Sequence, residues 1–142
     1  MKDVVISIYS SFSFAEGEEQ NMEFTTDGLY FFEDDVGCLS YEETEVTGLT
    51  GTRTSVFVMP DQVIIDREGT LTSRMVFKEG LKSAFQYATP FGNATMGINT
   101  RRVTPRMGSN GGSVEIDCVV DMEHMVASRN RFQITVKEIG TQ

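Results

Sequence analysis

The chain has no tryptophan, one histidine, two cysteines and three prolines in 142 residues. Each scarcity excludes something. The single histidine, His124, cannot build a zinc-type His/Cys centre. It also stands far in sequence from Cys38, which leaves no nucleophile and base close in sequence. Two cysteines without a CxxC spacing, Cys38 and Cys118, predict reduced, buried thiols in a chain long enough to hold a core without cross-links. Leucine and alanine number only 5 each, whereas valine, isoleucine and threonine together number 37. β-branched side chains lose freedom on a helix and pack well on a pleated sheet, so a helical bundle is excluded. No apolar run approaches the roughly 20 residues of a membrane helix.

Positive charge is scarce in the first half. Residues 1–66 carry two basic side chains, Lys2 and Arg53, against 14 acidic ones. Residues 67–142 carry 10 basic and 7 acidic, and the whole chain has a net charge of −9. Such a surface repels phosphate backbones, so no nucleic-acid partner is expected. The division between halves reads either as a solvated acidic face or as complementary patches that favour self-association. There is no GxGxxG after a strand and no P-loop.

What the chain does have is period-2 alternation from end to end. It predicts strands at 4–14, 22–32, 38–46, 52–59, 62–67, 70–77, 82–88, 94–102, 113–120 and about 126–137. Turn signals separate them: Glu16 to Gln20, Asp34-Asp35, TGLTG at 47–51, Pro60-Asp61, Glu68-Gly69, Glu79-Gly80, TPFG at 89–92, the glycine-rich loop Gly108 to Gly112, and Asp121 to His124. Gly28 marks a bend or bulge. The predicted fold is all-β: a single domain over 1–142, an antiparallel up-and-down β-barrel of about 8–10 strands with little or no helix. A flat sandwich is the rival, disfavoured because Greek keys need long crossings. The opening MKDVVISIYSSFSF alternates apolar residues with serine and lacks a signal-peptide core, so a cytoplasmic protein is expected.

The motifs TTDGLY at 25–30 and LSYEE at 39–43, then Arg67 with Gly69, Phe77 with Gly80, Tyr87 with TPFG, Thr100 and GGSVEI at 111–116, resemble the YwiB-like family over about residues 22–137. That resemblance implies a calycin-type, lipocalin-like barrel and a bacterial cytoplasmic setting. It implies no activity.

Other chemistry is weakly supported. Glu42, Glu43 and Glu45 alternate faces on a strand and lack calcium-loop geometry. Gly108 to Gly112 precedes no helix that would cradle a phosphate. Arg101, Arg102 and Arg106 form the best surface candidate for an anion, against the simpler reading of charge compensation. The predicted interior carries more. Alternation groups Ser73 with Leu71, Met75 and Phe77, Thr100 with Ala94, Met96 and Ile98, and Asn130 with Phe132, Ile134 and Val136. Likewise Tyr41 and Glu43 follow Leu39, and Arg67 follows Val63 and Ile65. The candidate ligand-contacting residues are therefore Tyr41, Glu43, Arg67, Ser73, Tyr87, Thr100 and Asn130. A buried guanidinium needs a partner, and Glu43 is the expected one for Arg67.

Two functions follow as expectations. One is a non-catalytic binding module whose barrel holds a small, largely apolar ligand. The other is a filled barrel acting through its surface or an oligomer interface, as monomer or homodimer. Neither calls for a cofactor, a metal or a membrane.

Overall fold

The predicted alternation is realised in ten strands of a computed structural model, which describes residues 2–14, 19–43, 50–69, 72–89, 92–122 and 128–139, with the backbone alone at 14, 85–89, 92–94 and 122. The strands are β1 (Lys2–Phe14), β2 (Glu19–Glu33), β3 (Val36–Glu42), β4 (Thr52–Val58), β5 (Val63–Gly69), β6 (Ser73–Phe77), β7 (Lys82–Thr89), β8 (Gly92–Gly108), β9 (Gly111–Met122) and β10 (Ser128–Glu138). No helix occurs among the described residues. His124, Glu45, Leu71, the Tyr87 side chain and residues 16–18, 47–49 and 90–91 of the predicted turns lie outside the described set.

One sheet contains all ten strands in the order β6-β5-β4-β3-β2-β1-β10-β9-β8-β7. Every ladder is antiparallel. The sheet curls into a nearly closed barrel. Its two end strands, β6 and β7, are consecutive in sequence yet share no ladder among the described residues. The intervening chain turns on Gly80, at φ +78. Gly80 N then donates to Thr100 O at 3.0 Å and Thr100 N to Leu81 O at 3.2 Å, tying the turn to β8 instead. Ser83 Oγ to Val76 O, 3.3 Å, links the two edges by a side chain.

The long loop expected before β9 is a correction. β8 continues as strand to Gly108, and only Ser109-Asn110 separate it from β9. The register slips between Thr100 and Arg102. This bulge places two exposed arginines, Arg101 and Arg102, in succession and restarts the inward set at Val103. Gly28 serves a close approach: a Cβ there would lie 2.5 Å from Ile6 Cδ1 and from Ser40 O.

The core runs through the barrel interior. Val4, Ile6, Tyr30, Leu39, Val56, Val63, Phe77, Val114 and Cys118 are all essentially inaccessible. One end is plugged. Tyr30 Oη donates across the barrel to Gly108 O at 2.6 Å. Gly37 makes room for that ring: a Cβ there would sit 3.0 Å from Tyr30 Oη and 3.3 Å from Met107 Cβ.

The β2–β3 hairpin turns on two residues in the left-handed region, Asp34 at φ 53 and Asp35 at φ 64. This is the type I′ geometry that matches strand twist and favours glycine second. Replacing Asp35 by glycine removes a left-handed penalty larger than the entropy glycine adds. Asp35→Gly should stabilise by about 0.5 kcal/mol, raising the melting midpoint by roughly 2 °C. An unchanged or lower midpoint in a thermal melt would contradict the turn assignment.

Candidate functional site

The inward face of a strand is set by its most apolar alternate residues, and polar residues in the same phase follow them inside. In β3 to β6 this carries one polar row into the barrel. Cα pairing joins Tyr41 to Thr54, Thr54 to Arg67 and Arg67 to Ser73. The row next to it is apolar: Leu39, Val56, Ile65, Met75. Glu43 lies just beyond the end of β3, fixed by its N–H donating to Thr52 O at 2.8 Å.

These rows border a cavity of about 340 Å³ that opens partly to solvent beside Met22. Its wall is mostly aliphatic and aromatic: Ile8, Phe12, Met22, Phe24, Val56, Ile65, Met75, Phe77, Met96, Ile98, Val120, Phe132 and Ile134. Ser10, Tyr41, Glu43, Arg67 and Asn130 are its polar members. The rings are interlocked edge to face. Phe132 meets Phe12 at 6.5 Å and Phe77 at 6.2 Å between centroids, and Phe24 meets Tyr41 at 6.2 Å. Phe77 and Phe132 thereby join β6 to β10 across the interior.

The polar side of the cavity is electrostatically tight. The Glu43 side chain is 1% exposed and Arg67 19%. Arg67 Nε stands 4.0 Å from Glu43 Oε1, an ion contact too long for a hydrogen bond. Thr54 Oγ1 donates to Glu43 Oε1 at 2.6 Å. Burial, and then the neighbouring Glu43 charge, push the Tyr41 phenol above its ordinary value. Asn130 Nδ2 donates to Ser128 O at 3.1 Å and to Ser128 Oγ at 3.0 Å. Arg67 Nε, Ser73 Oγ and Thr100 Oγ1 are buried with no hydrogen-bond partner.

Of the seven candidates, Tyr41, Glu43, Arg67 and Asn130 therefore line one cavity. Ser73 is buried opposite Arg67 in the β5–β6 register, outside the lining. Thr100 is buried in the row it shares with Cys118 and Asn130, also outside the lining. Tyr87 pairs with Ala94 in the β7–β8 ladder. Sequence reasoning missed Ser10, Phe12, Phe24 and Thr54. Ser10 and Phe12 continue the phase of Val4, Ile6 and Ile8, and Thr54 that of Val56 and Val58, so the signal was present.

Of the three arginines expected to cluster, Arg101 and Arg102 stand near Asp117, Arg102 in a groove on the outer wall with Tyr9 and Arg131, whereas Arg106 borders a separate groove with Asp35 and Pro60. Asp117 is the hub of the first group. Arg129 donates to it from Nε at 3.2 Å and from Nη2 at 2.8 Å, and Arg131 lies 3.9 Å away. The Arg129 hydrogen bonds hold the Asp117 carboxyl below its ordinary range.

Two predictions arise from the buried groups. Removing Arg67 leaves the Glu43 carboxylate in an apolar wall without its cation. Arg67→Met should cost about 3 kcal/mol, and the Arg67→Met/Glu43→Gln double variant should recover more than half of it in chemical denaturation. Additive losses would rule out coupling. Cys118 is fully buried, and desolvation, then Asp117 beside it, pushes its thiol up to about 12 from 9.0. The folded state thus keeps the proton longer than the unfolded one. That stabilisation is whole below about pH 9 and fades as pH rises toward 12. Stability should fall over this window, less steeply in Cys118→Val, with Tyr41 sustaining part of the fall from its own raised value. Identical slopes for the two proteins would exclude Cys118 as a cause.

The chain resembles the crystal structure of ywiB protein from Bacillus subtilis, with a TM-score of 0.81 at 22% identity, covering 99% of this chain and 93% of that one. At that identity the likeness concerns the fold. No curated protein matches. Residues 6–134 match a domain of unknown function, DUF1934, and the chain belongs to that family.

Proposed function

We propose that this protein is a non-catalytic, calycin-like binding barrel that takes one small, largely apolar ligand into its interior, in the cytoplasm of a bacterium. The cavity of about 340 Å³ carries the reading. Interiors normally pack with few voids larger than a water molecule. A ligand entering this largely apolar space would bury its own apolar surface against the wall. The volume falls within the range of small-molecule sites, about 300–1,000 Å³, and an apolar wall with a few convergent polar groups is their usual chemistry. Two free thiols, Cys38 and the buried Cys118, suit a reducing compartment.

A second reading, a homodimer working through the outer wall, is favoured by one observation. Register pairing lines up Phe31, Cys38, Phe57, Ile64 and Val76 on the outside of β2 to β6, with Phe31 38% exposed.

Native mass spectrometry of gently purified protein tests both. The binding reading expects a reproducible adduct that leaves on denaturation and is absent from Val56→Phe, whose larger side chain enters the cavity. A clean mass of the bare chain, with no response of the melting midpoint to hydrophobic probes, would overturn it. A doubled mass persisting at physiological salt would support the dimer.

A further inference from the structure

We propose that two copies of this chain pair through the outer face of β1, about a two-fold axis that runs along that strand; the inference stands apart from the cavity. The charge division between the two halves of the sequence takes a definite form on this face. β1 lies between β2 and β10, and each outward residue of β1 has one neighbour on either side at its own level. Glu19 and Arg129 flank Ser13, and Asp27 and Lys137 flank Val5. Between these ends Asn21 and Arg131 flank Ser11, and Glu23 and Gln133 flank Tyr9. The β2 side is thus a column with three carboxylates, and the β10 side a column with three cations. All six charged residues are exposed. The columns stand roughly 10 Å apart across the intervening strand. Within the chain, Arg129 and Arg131 turn instead to Asp117 on β9. The residues of β1 between the columns are small except Tyr9, which is 40% exposed.

Charge decides the partner and the axis. A two-fold axis along β1 lays β2 of each copy on β10 of the other and keeps every residue at its level. Glu19 then meets the partner's Arg129, and Asp27 meets the partner's Lys137. Glu23 faces the amide of the partner's Gln133, and Asn21 faces the partner's Arg131. Every contact occurs twice, no level opposes like charges, and the two Tyr9 rings meet at the axis. An axis across the strands would instead lay β2 on β2 and β10 on β10, carboxylate against carboxylate and cation against cation. Because the face carries both halves of its own complement, a second copy fits it better than a foreign partner of one charge. Nine residues of β1 with a strand on each side cover roughly 400 Å² on each copy, about half of a standard interface. The association is therefore weak and reversible, between micromolar and millimolar.

Sedimentation velocity of the full chain at physiological salt, from micromolar to millimolar concentration, tests the pairing. The unaltered chain should dimerise over this range. Glu19 and Arg129 also serve Ser11 and Asp117 within the chain, so the variants are made at Asp27 and Lys137. Asp27→Lys alone and Lys137→Asp alone each set like charges together at two places, and each should weaken the dimer about tenfold or more. Asp27→Lys also brings the net charge of −9 nearer zero, which by itself would ease repulsion between copies. An equimolar mixture of the two variants should pair about as tightly as the unaltered chain, because each then offers the charge the other needs. Phe31→Asp, in the apolar row of β2 to β6, should leave this dimer unchanged. A chain monomeric at millimolar concentration would overturn the proposal. So would single variants that dimerise like the unaltered chain, or a mixture that stays monomeric. A dimer lost in Phe31→Asp but kept in Asp27→Lys would also overturn it, and would assign the pairing to the apolar row.

Discussion

The ladder between β1 and β10 is the constraint on which the rest of the structure depends. It pairs Val4 through Phe14 with Glu138 through Ser128. On one side of it, β1 to β6 form a meander; on the other, β7 to β10 form a second. Each meander alone would expose one apolar face of a twisted sheet. Pairing the two ends of the chain makes one sheet of both and turns those faces toward each other. An ion pair marks the join: Lys2 Nζ meets Glu138 Oε1 at 2.6 Å. On the far side β6 and β7 lack a ladder, and closure there rests on side chains such as Phe77 against Phe132.

Closure by one ladder and one packed seam gives the barrel two unlike ends. At the end holding Tyr30, Gly37 and Met107, a glycine lets a tyrosine cross the lumen and reach a backbone carbonyl. The space is filled and the polar hydroxyl is satisfied. At the other end the wall is mostly apolar, with Ser10, Tyr41, Glu43, Thr54, Arg67 and Asn130 as its polar inward residues. Thr54, Glu43 and Arg67 meet along the wall and Asn130 turns back to Ser128, and a cavity remains. The same inward alternation therefore gives a solid plug or an open chamber, according to whether a glycine opposes a large ring.

The sequence made much of this legible, because alternation is a strict rule where one face is buried. Tyr41, Glu43, Arg67, Ser73, Thr100 and Asn130 were all read as interior from their apolar neighbours, and all are buried or nearly so. What escaped has physical causes. Alternation ends the eighth strand at Arg102 because Pro105 and the glycines after it carry turn signals, yet Pro105 pairs with Val114 within the ladder. The bulge at Thr100 to Arg102 changes the phase, and no local pattern announces where one strand gains a residue on its partner. The missing β6–β7 ladder is a property of sheet curvature, which depends on all ten strands together. Ser10 and Thr54 were overlooked for a simpler reason. A lone serine or threonine on a strand is as common outside as inside, and only the phase of its neighbours decides.

The polar row from Tyr41 to Ser73 is the least economical part of the fold. Apolar residues at Glu43 and Arg67 would avoid desolvating two charges, and a buried ion pair is often no better for stability than well-packed hydrophobic side chains. Their contact is also poor as a bond: 4.0 Å separates Nε from Oε1, while a threonine takes the short hydrogen bond to the carboxylate. An arrangement selected for stability alone would bring guanidinium and carboxylate together in a bidentate pair. Here the carboxylate offsets the guanidinium's charge without using its Nε–H. The result is a guanidinium held beside an offsetting carboxylate, with its Nε buried and without an acceptor. A buried donor left unmade costs the fold stability, so the row is held by the strict inward alternation of its strands and not by the strength of its own bonds.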